Sequence, residues 1–213
     1  MSFPTAAEAD IALLLEGTFP YVSGGVSSWV NEIIGAYPEH RFAVVFLGSR
    51  REDYGGQKYE LPANVVHFEE HFLYEDLNTR SEPDARAGDP EAFAISSRMH
   101  EKFFSGELAE ALHAFKDVAP MMLPGGKLTL DDFLHSEKSW EAICERYRRF
   151  CSDPSFVDYF WTVRIIHQTL WRLANVAKTL IRVRCAHTVS TGYAGFLGAL
   201  LHQSRGIPLI LSE

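Results

Sequence analysis

The chain is poor in the features that mark several whole classes of protein. Its three cysteines, Cys144, Cys151 and Cys185, are too few for a disulfide framework and lack the spacing of a zinc site. The N-terminal residues lack the basic start and apolar run of a signal peptide, and no stretch approaches the ~20 apolar residues of a membrane span. We therefore expect a cytoplasmic protein with reduced thiols, for which any association with the inner membrane would come through partner proteins.

Positive charge is also scarce. The 28 acidic residues outnumber the 20 lysines and arginines, for a formal charge of −8, which disfavours a nucleic-acid partner. Neither a Gly-x-Gly-x-x-Gly loop nor a nucleotide-triphosphate loop occurs, so a plain dinucleotide or ATP site is excluded. Asp131-Asp132 is not an Asp-x-Asp pair, and residues 69–71, Glu-Glu-His, have no second cluster at ligand spacing. We predict no metal and no cofactor.

The apolar residues that are present predict an α/β fold. Hydrophobic residues make up 46% of the chain. Many of them form short runs of strand length, separated by helical patterns, and this alternation is typical of a Rossmann-like, three-layer parallel sheet. The predicted strands are 11–15, 41–48, 64–68, 183–189 and 207–211. Between them we predict a single domain, 1–213, with a mostly helical insertion at about 69–154.

Helical periodicity is concentrated in the middle of the chain. Prolines and glycines divide the insertion into predicted helices at 90–105, 107–118 and 129–150, and a long helix follows at 155–182. His100, His113 and His135 lie in these segments, and we interpret them as surface or core histidines.

A glycine pair follows the first predicted strand. Gly24 and Gly25 precede a helical pattern of apolar residues, and Ser27 or Ser28 is placed to cap that helix. A helix start without side chains presents free N–H groups and the positive end of the helix dipole, which suits a phosphate or a sugar hydroxyl. The same residues are equally typical of a tight strand-to-helix turn that binds no ligand.

The C-terminal stretch repeats this strand, turn and helix arrangement. Ser190, Thr191 and Gly192 form a predicted turn with capping hydroxyls, and Tyr193 begins a helix that Gly206 ends. The sequence then stops at Glu213, at the end of a predicted strand, where open α/β sheets have their binding crevice. We expect this chain to be the N-terminal domain of a longer protein.

Two motifs resemble the Pel exopolysaccharide glycosyltransferases of glycosyltransferase family 4. They are LLEGTFPYVSGGVSSWV at 14–30 and HTVSTGYAGFLGAL at 187–200, and the closing PLILSE also fits. The resemblance implies a GT-B enzyme with two Rossmann-like domains across a cleft. The C-terminal, donor-binding domain would be absent here, so the fragment would be inactive alone.

The resemblance also implies roles for individual residues. Gly24, Gly25 and Val26 match the family's glycine loop, near the donor diphosphate and the acceptor. Candidate acceptor-side residues are Ser190, Thr191, Gly192 and Tyr193, and Glu213 would lead into a His-Gly continuation. His187 matches a cleft histidine and is the catalytic candidate, although a strand-end histidine bonded to backbone is the equal alternative.

The implied activity is retaining transfer from a UDP-sugar, with UDP-glucose as the expected donor, to a saccharide acceptor in extracellular Pel polysaccharide and biofilm synthesis. The implied partners are the missing C-terminal domain and the proteins of an inner-membrane Pel synthesis complex. Two alternatives remain open at this point. One is a non-catalytic α/β module that docks on such a complex, and the other is a free-standing nucleotide-binding or regulatory domain.

Overall fold

The computed structural model describes residues 3–75, 86–152 and 155–212. Its strands form one five-stranded, all-parallel sheet in the order β3-β2-β1-β4-β5. Their bounds are β1 Glu8–Glu16, β2 Phe42–Gly48, β3 Val65–Phe72, β4 Arg182–Thr188 and β5 Leu209–Leu211. The predicted α/β, Rossmann-like fold class is confirmed.

Seven α-helices lie within the described residues. They are α1 Gly25–Ala36, α2 Pro90–Phe104, α3 Leu108–Met122, α4 Leu130–His135, α5 Glu137–Phe150, α6 Phe156–Thr179 and α7 Tyr193–Arg205. The chain divides into two compact units, one of residues 1–76 with 179–213 and one of residues 77–178. We call them the sheet unit and the helical unit.

Burial in the core of the sheet unit explains why β1 and β2 are continuous apolar runs in the sequence. All seven residues of β2 are buried, and β1 is buried from Ala12 to Leu15. Helices pack on both faces of an all-parallel sheet, so strands that are buried on both faces lack polar alternation. The aromatic side chains on one side of this core come from several elements: Phe19, Phe42, Phe46, Phe68 and Phe72.

The helical unit begins later than the sequence indicated. Strand β3 continues to Phe72, beyond the predicted end at residue 68, and the unit spans 77–178 instead of 69–154. The prediction of a strand end was wrong because residues 69–71 are polar but lie on an edge strand, where polar side chains remain accessible. Within the part of the chain that the structure describes, no helix is both long and apolar enough to cross a membrane.

Two helix predictions in the helical unit were also wrong. The predicted helix 129–150 is two helices, because Ser136 has extended backbone angles, ends α4 and caps α5 by accepting a hydrogen bond from the Ser139 N–H. Helix α3 continues past its predicted end at 118 to Met122, with Pro120 inside it. Proline removes one hydrogen bond, and burial of Ala119 and Met122 in the final turn favours its continuation.

The three cysteines carry free thiols, as the sequence predicted, and each is half-buried. The long helix predicted at 155–182 is confirmed as α6, and not all of its apolar residues are buried. Trp171 is buried and its indole N–H donates to the Leu128 carbonyl at 2.8 Å, whereas Ile166 is 45% exposed.

Candidate functional site

The candidate site lies at the carboxyl ends of two neighbouring parallel strands. The chain runs outward from β1 to β2 and β3, and then returns to place β4 on the other side of β1. This reversal is the topological switch point of an open α/β sheet, where a crevice forms and ligands bind. Helix α1 begins after β1 and helix α7 begins after β4, so both helix N-termini lie at this edge of the sheet unit.

The start of helix α1 has no capping side chain. Gly24 is the N-cap residue with φ near 171°, an extended angle that any residue adopts, and its carbonyl accepts the Ser28 N–H at 2.9 Å. The predicted serine cap was wrong, because Ser27 is buried one turn into the helix and the Ser28 hydroxyl lies 3.1 Å from the Tyr59 hydroxyl. The first N–H groups of α1 therefore have no side-chain acceptor among the described residues.

Neither glycine at this helix start is required by packing. A Cβ atom added at Gly24 or Gly25 would meet nothing within 4 Å. Because backbone geometry and space would both allow a side chain here, the glycines leave the main chain open to solvent, as a phosphate-binding or sugar-binding helix start needs.

A cavity of about 320 Å³ adjoins this helix start. Its lining residues are Gly25, Val26, Trp29, Val189 and Ser212. Val26 and Trp29 are 42% and 38% exposed, although both belong to the apolar pattern of α1, whose other members Val30 and Ile34 are buried. The exposed part of that pattern thus forms one wall of the cavity.

His187 lies beside this cavity. It is in β4, paired in register with Leu13 of β1 and Ile210 of β5, and its Nε2 atom is 2.9 Å from the Ser212 hydroxyl. Its ring meets the Trp29 ring edge to face, with centroids 5.7 Å apart. Burial lowers the pKa of His187, so the imidazole is neutral near pH 7 and can exchange hydrogen bonds without carrying charge.

The start of helix α7 differs from that of α1, because a carboxylate already occupies it. Glu16, the last residue of β1, accepts the Ala194 N–H at 3.2 Å and the Ser190 hydroxyl at 3.3 Å. The predicted hydroxyl cap was wrong, since no side-chain cap is present at Gly192. A Cβ atom at Gly192 would lie 2.6 Å from a Glu16 carboxylate oxygen, so this glycine makes room for the carboxylate.

The other predicted acceptor-side residues lie in the same loop but do not converge on one point. The Thr188 hydroxyl donates to the Ser190 carbonyl at 2.8 Å, and Thr191 is exposed. The Tyr74 hydroxyl donates to the Tyr193 hydroxyl at 3.3 Å, and burial together with this contact raises the pKa of Tyr74 to about 12. Glu213 lies outside the described residues.

The acidic side chains of residues 69–71, which lie on β3, are bound to other protein side chains. Glu69 lies 2.9 Å from His71, and Glu70 accepts hydrogen bonds from Tyr21 and Arg51. Within residues 3–75, 86–152 and 155–212, no group of three or more His, Cys, Asp or Glu side chains has an arrangement that could hold a metal ion.

The sequence analysis named Gly25, Val26 and His187, which lie at or beside the cavity. It did not name Trp29 and Ser212, which line the cavity, or Glu16, which occupies the start of α7. Trp29 could have been suspected from the sequence, because a side chain as large as an indole is unusual so close to a glycine pair at a helix start. Nothing in the local sequence pointed to Glu16 or Ser212, since their contacts depend on which strands are neighbours in the sheet.

The comparisons with known proteins agree with the coarse part of the resemblance. A family model described as "Domain of unknown function (DUF3492)" matches residues 9–213, and this domain is associated with glycosyltransferase-like proteins of glycosyltransferase family 4. No curated protein and no solved structure was found to match the chain. Because the match covers nearly its whole length, the chain belongs to the DUF3492 family.

Proposed function

We propose that this chain is the N-terminal, acceptor-side domain of a retaining, UDP-sugar-dependent glycosyltransferase of the PelF type, with UDP-glucose as the donor. It acts with a C-terminal, donor-binding domain in the synthesis of extracellular Pel polysaccharide. The protein works in the cytoplasm and meets the inner membrane through partner proteins. The family match and the two quoted motifs support this assignment.

The observation that carries the proposal is the open start of helix α1 beside a cavity at the switch point of the sheet. At that point a helix dipole and uncapped N–H groups face a space of about 320 Å³, which is at the lower end of the size range of ligand sites. Two glycines that the fold does not require keep this space open. A tight turn without a ligand would have no need of them.

The residues around the cavity suit the chemistry of sugar transfer. When the bond between sugar and phosphate breaks, the sugar becomes oxocarbenium-like and negative charge grows on the departing diphosphate. The N–H groups of α1 at Gly25 and Val26 face such a charge in our proposal. Trp29 offers an apolar face to a sugar ring, and the His187–Ser212 pair offers hydrogen bonds to hydroxyl groups and holds the acceptor in line.

The test is UDP release from UDP-glucose by the full-length protein and its Gly25→Ala variant. The added methyl group meets no protein atom within 4 Å, so we expect an intact fold and a kcat/KM at least about tenfold lower, because the methyl group lies between ligand and main chain. Gly35→Ala is the matched control, since it adds a methyl group at the other end of α1, also into open space, and should keep the wild-type rate.

Either of two results would count against the proposal. If Gly25→Ala is folded and as active as Gly35→Ala, the loop is only a turn. If the full-length protein releases no UDP with any sugar donor, the assignment as a transferase fails. This chain alone should show no turnover in the same assay, because the donor-binding half of the cleft belongs to the other domain.

A docking role is the second candidate, and the surface of the helical unit favours it. Among its described residues, seven large apolar side chains are between 46% and 67% exposed: Phe103, Phe104, Leu108, Leu112, Trp140, Val157 and Trp161. Exposed apolar groups of this kind often mark sites of protein association. Replacing Leu108 and Leu112 by serine should release the full-length protein from its membrane complex while UDP release persists; retention in the complex would contradict this role.

A further inference from the structure

The helical unit contains a second cavity, of about 280 Å³, that the proposed sugar transfer does not use. Three helices wall it. Its aromatic wall consists of Phe104 of α2, Phe150 of α5 and Tyr159 of α6, and its polar wall includes His100, Arg146 and Cys151. The Phe104 and Phe150 rings lie 4.5 Å apart between centroids. The cavity thus combines an aromatic wall with one guanidinium.

Arg146 is the unusual member of this wall. Its guanidinium donates to the Ser97 hydroxyl at 3.4 Å, and among the described residues no carboxylate lies within ion-pair distance of it. Two carboxylates whose charges act on Arg146, those of Glu101 and Glu145, form ion pairs with Arg149 instead, at 2.8 and 3.2 Å. Arg146 therefore retains N–H donors that no described carboxylate satisfies.

Arg146 is only partly accessible to water. The desolvation cost of its charge lowers its pKa, although the charges of Glu101 and Glu145 act in the opposite direction, and arginine remains protonated in proteins. An anion beside the guanidinium would offset that cost. The planar fork of arginine matches a carboxylate with two parallel hydrogen bonds.

Two histidines, His100 and His167, lie close together near Arg146. The Nδ1 atoms of His100 and His167 donate to the helix carbonyls of Ser96 and Val163, at 2.8 and 2.9 Å, so their Nε2 atoms face each other at 3.2 Å. Burial lowers the pKa of both, that of His100 to about 3. His167 does not line the cavity, and Arg146 supplies the permanent positive charge among the residues that do.

The hydrogen-bond donors in this cavity suit a singly charged anion. Burial raises the pKa of Tyr159, so its hydroxyl stays protonated and can donate beside Arg146. Glu101 also lines the cavity, but its carboxylate forms an ion pair with Arg149. A phosphate dianion would need more donors than one guanidinium and one hydroxyl, whereas a carboxylate attached to an apolar body suits both the donors and the aromatic wall.

We propose that this cavity binds a small carboxylate with an aromatic or aliphatic body, anchored on Arg146. Tyr159 donates to the same carboxylate, and Phe104 and Phe150 cover the apolar part. The volume of about 280 Å³ restricts the ligand to a small molecule. This site lies wholly in the helical unit and does not depend on the transferase activity proposed above.

Calorimetric titration of the full-length protein with phenylacetate tests the proposal, with phenylacetamide as the uncharged isostere. We expect saturable binding of phenylacetate at pH 7, none of phenylacetamide, and affinity at least about tenfold lower in Arg146→Gln. Arg148→Gln, which replaces an exposed arginine of the same helix that does not line the cavity, is the matched control and should bind as the wild type does. Equal binding by Arg146→Gln, or no binding of phenylacetate by the folded wild type, would overturn the proposal.

Two further measurements keep the result decisive if Arg146→Gln does not fold. Tyr159→Phe removes only a hydroxyl and should weaken phenylacetate binding by about threefold. In the wild type, phenylacetate should shift the side-chain Nε–H resonance of Arg146 in NMR spectra and leave that of the exposed Arg148 unchanged. Inorganic phosphate is the competing probe, and tighter binding of phosphate than of phenylacetate at Arg146 would overturn the assignment to carboxylates.

Discussion

The two helix N-termini at the switch point of the sheet differ in one decisive respect. Both follow a parallel strand and both have a glycine as the N-cap residue, but Glu16 occupies the start of α7, whereas no described acidic side chain occupies the start of α1. Each terminus attracts negative charge for the same electrostatic reason. A helix start is available to a ligand only where the protein does not supply its own carboxylate.

The glycines at these two termini serve opposite purposes. Gly192 is needed by the fold, because a Cβ atom there would overlap a Glu16 oxygen at 2.6 Å, while Gly24 and Gly25 face open space. A glycine beside a helix start therefore does not by itself identify a ligand site. What its missing side chain would have touched distinguishes a structural glycine from one that leaves room for a ligand.

The largest test of this difference is a comparison of alanine substitutions at the two helix starts. Gly192→Ala should lower the free energy of unfolding by about 1–3 kcal/mol, because the methyl group must displace Glu16 from α7. Gly25→Ala should change it by less than about 0.5 kcal/mol. Urea unfolding of both variants checks this, and equal stabilities would mean that Glu16 does not hold the start of α7.

Removing the charge from the filled terminus should have the next largest effect. Glu16→Gln keeps the size of the side chain but loses the attraction between charge and helix dipole, so we expect about 1 kcal/mol less stability. Glu32→Gln, at an exposed position on α1, is the control and should be neutral. Sulfate should stabilise Glu16→Gln more than the wild type, since the start of α7 would then offer a second free anion site. Equal stabilisation by sulfate would show that the two helix starts do not differ in this way.

The wall of the open terminus can be changed without touching the glycines. Trp29→Leu in the full-length protein should raise KM for UDP-glucose about three- to tenfold, since the smaller side chain offers a ligand less apolar contact. Trp161→Leu removes an indole that is 54% exposed in the helical unit and should leave KM unchanged. The opposite ranking of the two variants would place the ligand elsewhere.

The smallest expected effect concerns pH. The folded pKa of His187 lies below its ordinary value of 6.5 because of burial, so lowering the pH from about 7.5 to about 5.5 begins to protonate it and adds positive charge beside a bound anion. We expect the affinity of the full-length protein for UDP to rise about twofold more than that of His187→Gln over this interval. Parallel pH profiles would show that His187 does not face the diphosphate.

Short-range patterns were enough to locate most elements of the chain. The runs at β1 and β2 are apolar throughout because both strands are buried on both faces, and such runs can be recognised without knowing their neighbours. The glycine pair before α1 was equally visible. The errors fell where local rules are weak, as at Ser136, a serine with extended backbone between two helical patterns.

The capping predictions failed for a different reason. Ser28, Ser190 and Thr191 have the right chemistry for N-caps and stand close to helix starts, but local chemistry does not reveal competitors. At α7 the competitor is Glu16, which lies 178 positions from Ala194 in the chain. A charged carboxylate is a stronger acceptor than a serine hydroxyl at such a terminus.

The sequence by itself determined the α/β class, the approximate positions of the strands, and a glycine-bearing helix start after β1, because apolar runs, periodicity and turn residues act over a few positions. Only the tertiary structure decided that one helix start is filled by Glu16 and the other borders a cavity. The pairing of His187 with Ser212 and Trp29 was decided in the same way. These contacts require β1 and β4 to be neighbours in a definite register, and that register results from long-range packing of the whole sheet.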